Sequence, residues 1–259
     1  MHSHINFGYP WLLTYGHLLV GGLAALLLLI AWKYRVAKWR LAILAVITFW
    51  ALSSFVVVRF IFDVNGRASM PTQAFLPSGS GKVLDIGAGT GRSTLMVLEA
   101  RPQTTVVALD SFSDSYVKHF GNQKPQEQVS DQGRERLLEN LRAAGVDSRA
   151  TVVAADMRQL PFPAETFDGI VTAYAVDHLN HDGIRSALTE ARRVLKPQGQ
   201  MLLIVTGGDF WMLYSFGPLL IHSHGVPADF WPRNVRDAGF EIMEDGFAPF
   251  SRYVLARRS

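Results

Sequence analysis

Between Met1 and Trp32 the chain carries no Lys, Arg, Asp or Glu, and WLLTYGHLLVGGLAALLLLIAW (Trp11 to Trp32) matches the roughly 20 apolar residues that cross a bilayer. Inside hydrocarbon each backbone polar group has to find its partner within the segment, so such a run is confined to a helix. A second uncharged run, LAILAVITFWALSSFVVV (Leu41 to Val58), follows the basic stretch KYRVAKWR. Together they read as two membrane helices joined by a short basic loop. A cleaved signal peptide is disfavoured, because the first run lacks a basic start, is long, and is followed by no clear small-x-small cleavage site. A buried core helix is disfavoured too, since apolarity on almost every face suits lipid.

The basic loop sets up a conflict over orientation. Lys33, Arg35, Lys38 and Arg40 would by the positive-inside rule lie in the cytoplasm, which sends everything after Val58 outside if both helices span. A domain that uses a cytoplasmic cofactor needs the opposite. Either the hairpin is shallow and monotopic, or Arg59, Arg67, Lys82 and the folded domain override the loop. That need outweighs the charge rule, so the expectation is a membrane protein with its catalytic domain on the cytoplasmic side. Basic residues near the bilayer suggest anionic headgroups rather than nucleic acid as the electrostatic partner. The chain has no cysteine, which removes disulfides, thiolate metal sites and a cysteine nucleophile together.

The 259 residues leave about 200 for one ordinary domain. Residues 1–62 form the expected anchor. DVNGRASMPTQAFLPSGSG (63–81), with its prolines and glycines, marks a linker, and 82–259 the domain. In that domain the runs KVLDIG, TVVALD, ATVVAAD, FDGIVTAYA and MLLIVT alternate with helical patterns at 93–101, 132–144 and 184–196, and FEIMEDG and SRYVLARR close the chain. Short apolar strands separated by helices imply an α/β fold. The expected architecture is a Rossmann-like seven-stranded mixed sheet with helices on both faces, preceded by a two-helix membrane hairpin. Ligands of such sheets sit beyond the carboxyl ends of the strands.

The first strand ends in VLDIGAGTGRS (Val83 to Ser93), where bare glycine backbone and the following helix N-terminus let main-chain N–H groups approach a ligand closely. The dinucleotide pattern G-x-G-x-x-G fails here, because Gly87, Gly89 and Gly91 are followed by Arg92 where its last glycine belongs. Asp85 would repel a pyrophosphate and suits an ammonium group, as in an amino acid moiety. This run, with Asp110 at the end of TVVALD, Asp156 in AADMRQLPFPAETFD, and ARRVLKPQGQMLLIV, resembles the class I S-adenosylmethionine (SAM)-dependent methyltransferases over residues 80–259. The resemblance implies SAM as cofactor. It implies that Asp85 and the loop Gly87, Ala88, Gly89 and Gly91 hold the methionine part, that Asp110, with Ser111 beside it, takes the ribose hydroxyls, and that Asp156 and Met157 flank the adenine.

An activated methyl group leaves the enzyme to align an acceptor, exclude water and remove a proton where the acceptor carries one. The candidate base lies in TAYAVDHLNHDG: His178, tuned by neighbouring Asp177, with Tyr174 lining the sulfonium side. GGDFWMLYSFGPLLIHSHGVPADFW (207–231) occupies the position of a substrate-binding insertion in similar enzymes, offering Trp211, Tyr214, His222 and His224 to the acceptor. His222 and His224 have the spacing of metal ligands on a strand, but no metal is expected. The polar stretch 111–136 reads as a loop near the cofactor leading into a helix, with His119 in it. The function expected is transfer of the SAM methyl to a small or lipophilic acceptor at a membrane. The alternative is a non-catalytic SAM-binding membrane sensor or docking module. Nucleic acid is not an expected partner, and the oligomeric state stays open, although Gly16, Gly21 and Gly22 would let the anchor helices pack closely.

Overall fold

The computed structural model describes residues 5–63, 65–112, 129–220 and 227–259. Helix α1 (Trp11–Lys33) begins directly after Pro10 and stops just before Arg35, which takes a left-handed φ of 54°. Helix α2 (Lys38–Val56) returns antiparallel to it and runs on as a π-helical turn, Val57–Phe62, that ends at left-handed Asp63. Among the described residues these are the two helices long and apolar enough to cross a membrane. They are not a core pair: Leu29, Trp32 and Phe49 are 63%, 71% and 73% exposed.

The buried residues of α1 are Thr14, His17, Gly21 and Ala24, spaced to form one face. Gly21 is what brings the helices together, since a Cβ there would stand 2.7 Å from Leu52 Cδ2. The expected close packing is thus carried within the chain by Gly21, while Gly22 meets nothing within 4 Å.

The seven strands are β1 (Ser80–Ile86), β2 (Gln103–Asp110), β3 (Ala150–Ala154), β4 (Phe167–Ala173), β5 (Leu195–Thr206), β6 (Phe240–Ala248) and β7 (Ser251–Arg258). They order as β3-β2-β1-β4-β5-β7-β6, with only β7 antiparallel to both of its neighbours. The chain leaves β1 toward β2 on one side and later returns as β4 on the other, so the order reverses at β1. That reversal opens the crevice in which such sheets bind ligands. The helices are α3 (Arg92–Ala100), α4 (Val129–Ala143), α5 (His181–Val194), α6 (Phe210–Leu220) and α7 (Phe230–Asp237). One apolar layer packs α5 and α7 on Ile86, Ile170 and Leu203; another packs α3 and α4 on Val83, Ala108 and Leu202. The seven-stranded mixed sheet covered on both faces is the architecture the sequence led us to expect.

The segment between anchor and domain is packed rather than loose. Phe75 and Leu76 are buried beneath the sheet next to Gly169, and Arg101 donates to the carbonyl oxygens of Phe75 (2.8 Å) and Gln73 (2.9 Å). The residues ahead of α1 are packed as well. Phe7 is 2% exposed in the layer formed by α3 and α4, and Asn140 of α4 clasps the main chain of Asn6 from both sides at 2.9 and 3.0 Å. Both ends of the hairpin therefore rest on the domain.

Candidate functional site

The turn after β1 needs glycine for reasons the backbone makes explicit. Gly87, Gly89 and Gly91 have φ of 76°, 52° and 93°, and a Cβ on Gly87 would lie 2.2 Å from the Cβ of Ala175. The sequence suggested that main-chain N–H groups would face a ligand. The structure spends them internally: Gly87 and Ala88 donate to the Leu109 carbonyl (2.8 and 2.9 Å), Gly89 to Asp110 Oδ2 (2.8 Å), and Gly91 to Ala88 (2.8 Å). With those N–H groups spent, the turn suits an ammonium group better than a phosphate.

Asp85 lies below this turn, fully buried, and accepts hydrogen bonds from the hydroxyls of Ser93 (2.8 Å) and Thr94 (2.5 Å) at the start of α3. Burial raises its pKa to about 7, against the lowering effect of those two hydroxyls. It braces the turn from beneath. Asp110, at the end of β2, receives an N–H on each oxygen, from Gly89 (2.8 Å) and Phe112 (3.0 Å), which fixes the carboxylate. Two vicinal hydroxyls are the natural match for that pair. Ser111 beside it is exposed. Asp156, after β3, is held by Arg158 at 2.6 Å, and those hydrogen bonds keep its carboxyl below the usual range. Met157 packs on the core beside the Gly87 turn.

Across the crevice, Tyr174 follows β4 with a left-handed φ of 52°, a strained setting for an aromatic residue that the fold enforces. Its hydroxyl is bonded to Ser251 at the start of β7, and burial raises its pKa. The neighbouring candidates part company. Asp177 accepts from the Thr206 N–H and hydroxyl on Oδ2 (3.4 Å each) and sends Oδ1 into the interior with no hydrogen-bond partner among the described residues, whereas His178 is exposed at the end of the turn Val176–His178. Asp177 and Arg92 both act electrostatically on Tyr174, and on Tyr9 as well. Tyr9, its pKa raised by burial, arrives from the segment ahead of α1.

Arg92, which breaks the dinucleotide pattern, has a task in this fold. It opens α3, and its guanidinium donates to the carbonyls of Gly66 (3.1 Å), Asp63 (3.3 Å) and Phe62 (3.4 Å), capping the carboxyl end of the hairpin, with the Phe62 ring beneath it. Thr90 in the turn donates to the Phe7 carbonyl at 2.9 Å. The glycine turn and the hairpin are therefore joined directly.

The insertion after β5 begins as α6 and lies along the hairpin. The Tyr214 hydroxyl meets Ser53 at 2.6 Å, its carbonyl accepts the Trp50 indole N–H at 2.7 Å, and His17 Nε2 contacts the Ser215 carbonyl at 2.8 Å. Trp211 packs with Phe216, Phe250 and Val58. Of the four acceptor-side residues named from the sequence, Trp211 and Tyr214 thus face the anchor, and His222 and His224 lie outside the described residues, as does His119. Among the described residues no group of three or more His, Asp or Glu is arranged to hold a metal. Tyr9, Ser251 and His17 escaped the sequence reading. Each reaches the site by a long-range contact with no local motif to announce it.

Residues 84–203 match the protein family described as a methyltransferase domain. The chain is similar to the ubiquinone/menaquinone biosynthesis C-methyltransferase UbiE of Ectopseudomonas mendocina, 34% identical over 125 residues, 48% of this chain and 41% of that protein. It is likewise similar to UbiE of Pseudomonas putida, 34% identical over 148 residues, 56% of this chain and 46% of the relative. The chain thus spans less than half the length of these curated relatives. Among solved structures, an O-methyltransferase family protein from Burkholderia thailandensis has a TM-score of 0.54 at 15% identity, covering 82% of this chain and 59% of the other. An O-methyltransferase family 2 protein from Planctomyces limnophilus, solved in complex with apigenin, gives 0.53 at 19% identity, covering 79% and 57%. These two likenesses carry the fold.

Proposed function

We propose that the chain, whose residues 84–203 match a methyltransferase domain, is a class I SAM-dependent methyltransferase that transfers the methyl of SAM to a small lipophilic acceptor at a membrane surface. The observation that carries this reading is the docking of α6: the insertion beside the methyl-transfer site is held by Trp50 and Ser53 of the apolar hairpin. An acceptor leaving the bilayer along that hairpin meets the site without crossing water. The ubiquinone/menaquinone biosynthesis named for the UbiE relatives supports an acceptor of lipophilic character.

Bound SAM supplies a methyl carbon on a sulfonium, already activated for displacement. The chain's own residues then have three tasks. The Gly87–Gly91 turn takes the amino acid end against its carbonyl oxygens, and Asp110 accepts the ribose hydroxyls. Met157 and Asp156 border the adenine. Tyr174, fixed by Ser251, walls the methyl side and excludes water. Asp177, with a buried oxygen free of hydrogen bonds among the described residues, is the group we assign to receive the acceptor's proton; the exposed His178 is the weaker of the two candidates.

The test uses the full chain in lipid nanodiscs with methyl-labelled SAM and a panel of phenolic, amine and thiol lipophiles. The expected result is S-adenosylhomocysteine formed with at least one lipophilic acceptor. Tight SAM binding with no product across the panel would instead favour a SAM-binding sensor or docking module.

A further inference from the structure

The junction of α6 with the hairpin contains polar side chains that the methyl-transfer site does not use. Thr14 and His17, three residues apart, share a face of α1; Trp50 and Ser54, four apart, share a face of α2. The two faces meet, for the His17 ring stands edge-on to Trp50 at 5.6 Å and to Phe216 of α6 at 5.1 Å. Since α1 and α2 are antiparallel, Thr14 and Ser54 both lie one turn nearer the methyltransferase domain than that contact. Ser215 joins them from α6, its carbonyl 2.8 Å from His17 Nε2.

Thr14, Ser54 and Ser215 are 4%, 0% and 0% exposed, and among the described residues none of their hydroxyl oxygens has a hydrogen-bond partner. Ser53 next door shows the usual solution, bonding the Phe49 carbonyl and the Tyr214 hydroxyl. Three orphaned hydroxyls at one junction break the rule that buried polar atoms are paired, and Val or Ala would fill the same space without that penalty. A ligand held at the junction has to bring hydrogen-bonding capacity to these hydroxyls. It has to be uncharged, because Trp11–Trp32, Leu41–Val58 and α6 contain no Lys, Arg, Asp or Glu to balance a charge. Toward the domain the junction continues through buried Val57, Val58 and Phe250, and Phe250 adjoins Ser251, the partner of Tyr174. On the outer side of α6, Phe210 and Leu213 are 67% and 56% exposed.

We propose that the junction of α1, α2 and α6 is a membrane-side binding subsite, in which Thr14, Ser54 and Ser215 hydrogen-bond the hydroxyl or carbonyl oxygen of a neutral lipophilic molecule on its way to the methyl donor. The proposal rests on the reading of the acceptor as lipophilic. It adds a place where that acceptor's polar end is held before transfer, with its apolar remainder along Val57, Val58 and Phe250.

The test applies two photoreactive probes to the full chain in phosphatidylcholine nanodiscs: a diazirine-bearing hexadecanol, and the matched diazirine hexadecane without the hydroxyl. The alcohol is expected to label peptides containing residues 11–20, 50–58 or 210–217 several-fold more than the hydrocarbon. Thr14→Val/Ser54→Ala/Ser215→Ala is expected to bring alcohol labelling down to the hydrocarbon level, with an unchanged or higher melting temperature and unchanged SAM affinity. Thr14→Val and Ser54→Ala singly give intermediate labelling if the triple variant fails to fold. Equal labelling by both probes, or labelling indifferent to all these substitutions, overturns the proposal. Labelling needs no turnover, so a lack of methyl transfer would count against the methyltransferase reading alone.

Discussion

At the residue scale the two acids on either side of the crevice make opposite demands. Burial holds the Asp85 pKa at about 7 against an ordinary 3.8. Between those values the folded chain keeps a proton that the unfolded chain has released, so this group makes stability fall as pH rises from about 4 to 7, by an amount on the order of 4 kcal/mol at most. Asp85→Asn removes the titration. The drop in thermal midpoint between pH 5 and pH 7.5 is expected to shrink in that variant, and an equal drop in both proteins would show that the raised pKa is wrong. Asp177 speaks to chemistry rather than stability. If it receives the acceptor's proton, Asp177→Asn lowers kcat by about 100-fold or more, leaving SAM affinity intact. His178→Ala is expected to leave kcat within about threefold of the unsubstituted chain. The reverse ranking of these two variants would return the role to the histidine.

At the scale of elements, the sheet was legible because short β-branched runs such as TVVALD and ATVVAAD carry their own signature, and the helices between them keep a clear apolar face. Asp110 and the glycines were legible for a related reason: they lie at strand ends, where position alone points toward the ligand. The packed segments were not legible. Phe7 and Phe75 sit in stretches with glycine, proline and no period, and only the finished fold shows that each fills a hole in the same layer. His17 reaches Ser215 across 198 residues, and Trp50 reaches Tyr214 across 164, separations at which sequence gives no pairing signal. The strap ahead of α1 gives a direct check. Phe7→Ala removes a side chain that is 2% exposed and is expected to weaken strap docking by about 3 kcal/mol. Hydrogen exchange should then rise over residues 5–9 while β1 and β4 stay protected; unchanged exchange would mean that the strap is held by Asn140 alone.

For the whole molecule the hairpin is part of the architecture of the α/β domain and not a passive tether. Arg92 caps its carboxyl end, Asn140 and Thr90 clasp the segment before its first helix, and α6 lies against both helices. If the hairpin spans a bilayer, the domain and the segment before α1 share one side and the basic loop occupies the other. The chain has no cysteine, so a single introduced thiol reports sidedness cleanly. With the domain on the cytoplasmic side, Val36→Cys should react with a membrane-impermeant maleimide on intact cells and Ser78→Cys should not. Reaction of neither before lysis would support a shallow, monotopic hairpin, and reaction of Ser78→Cys alone would put the domain outside.

The account turns on the crevice between β1 and β4 accepting SAM, and calorimetric titration of SAM into the full chain in nanodiscs tests that most directly. The expected result is saturable binding of one SAM per chain, weakened by about 10- to 100-fold in Asp110→Ala, where hydrogen bonds to a charged acceptor are lost. No heat with SAM or with S-adenosylhomocysteine, or equal affinity in the Asp110 variant, would contradict it.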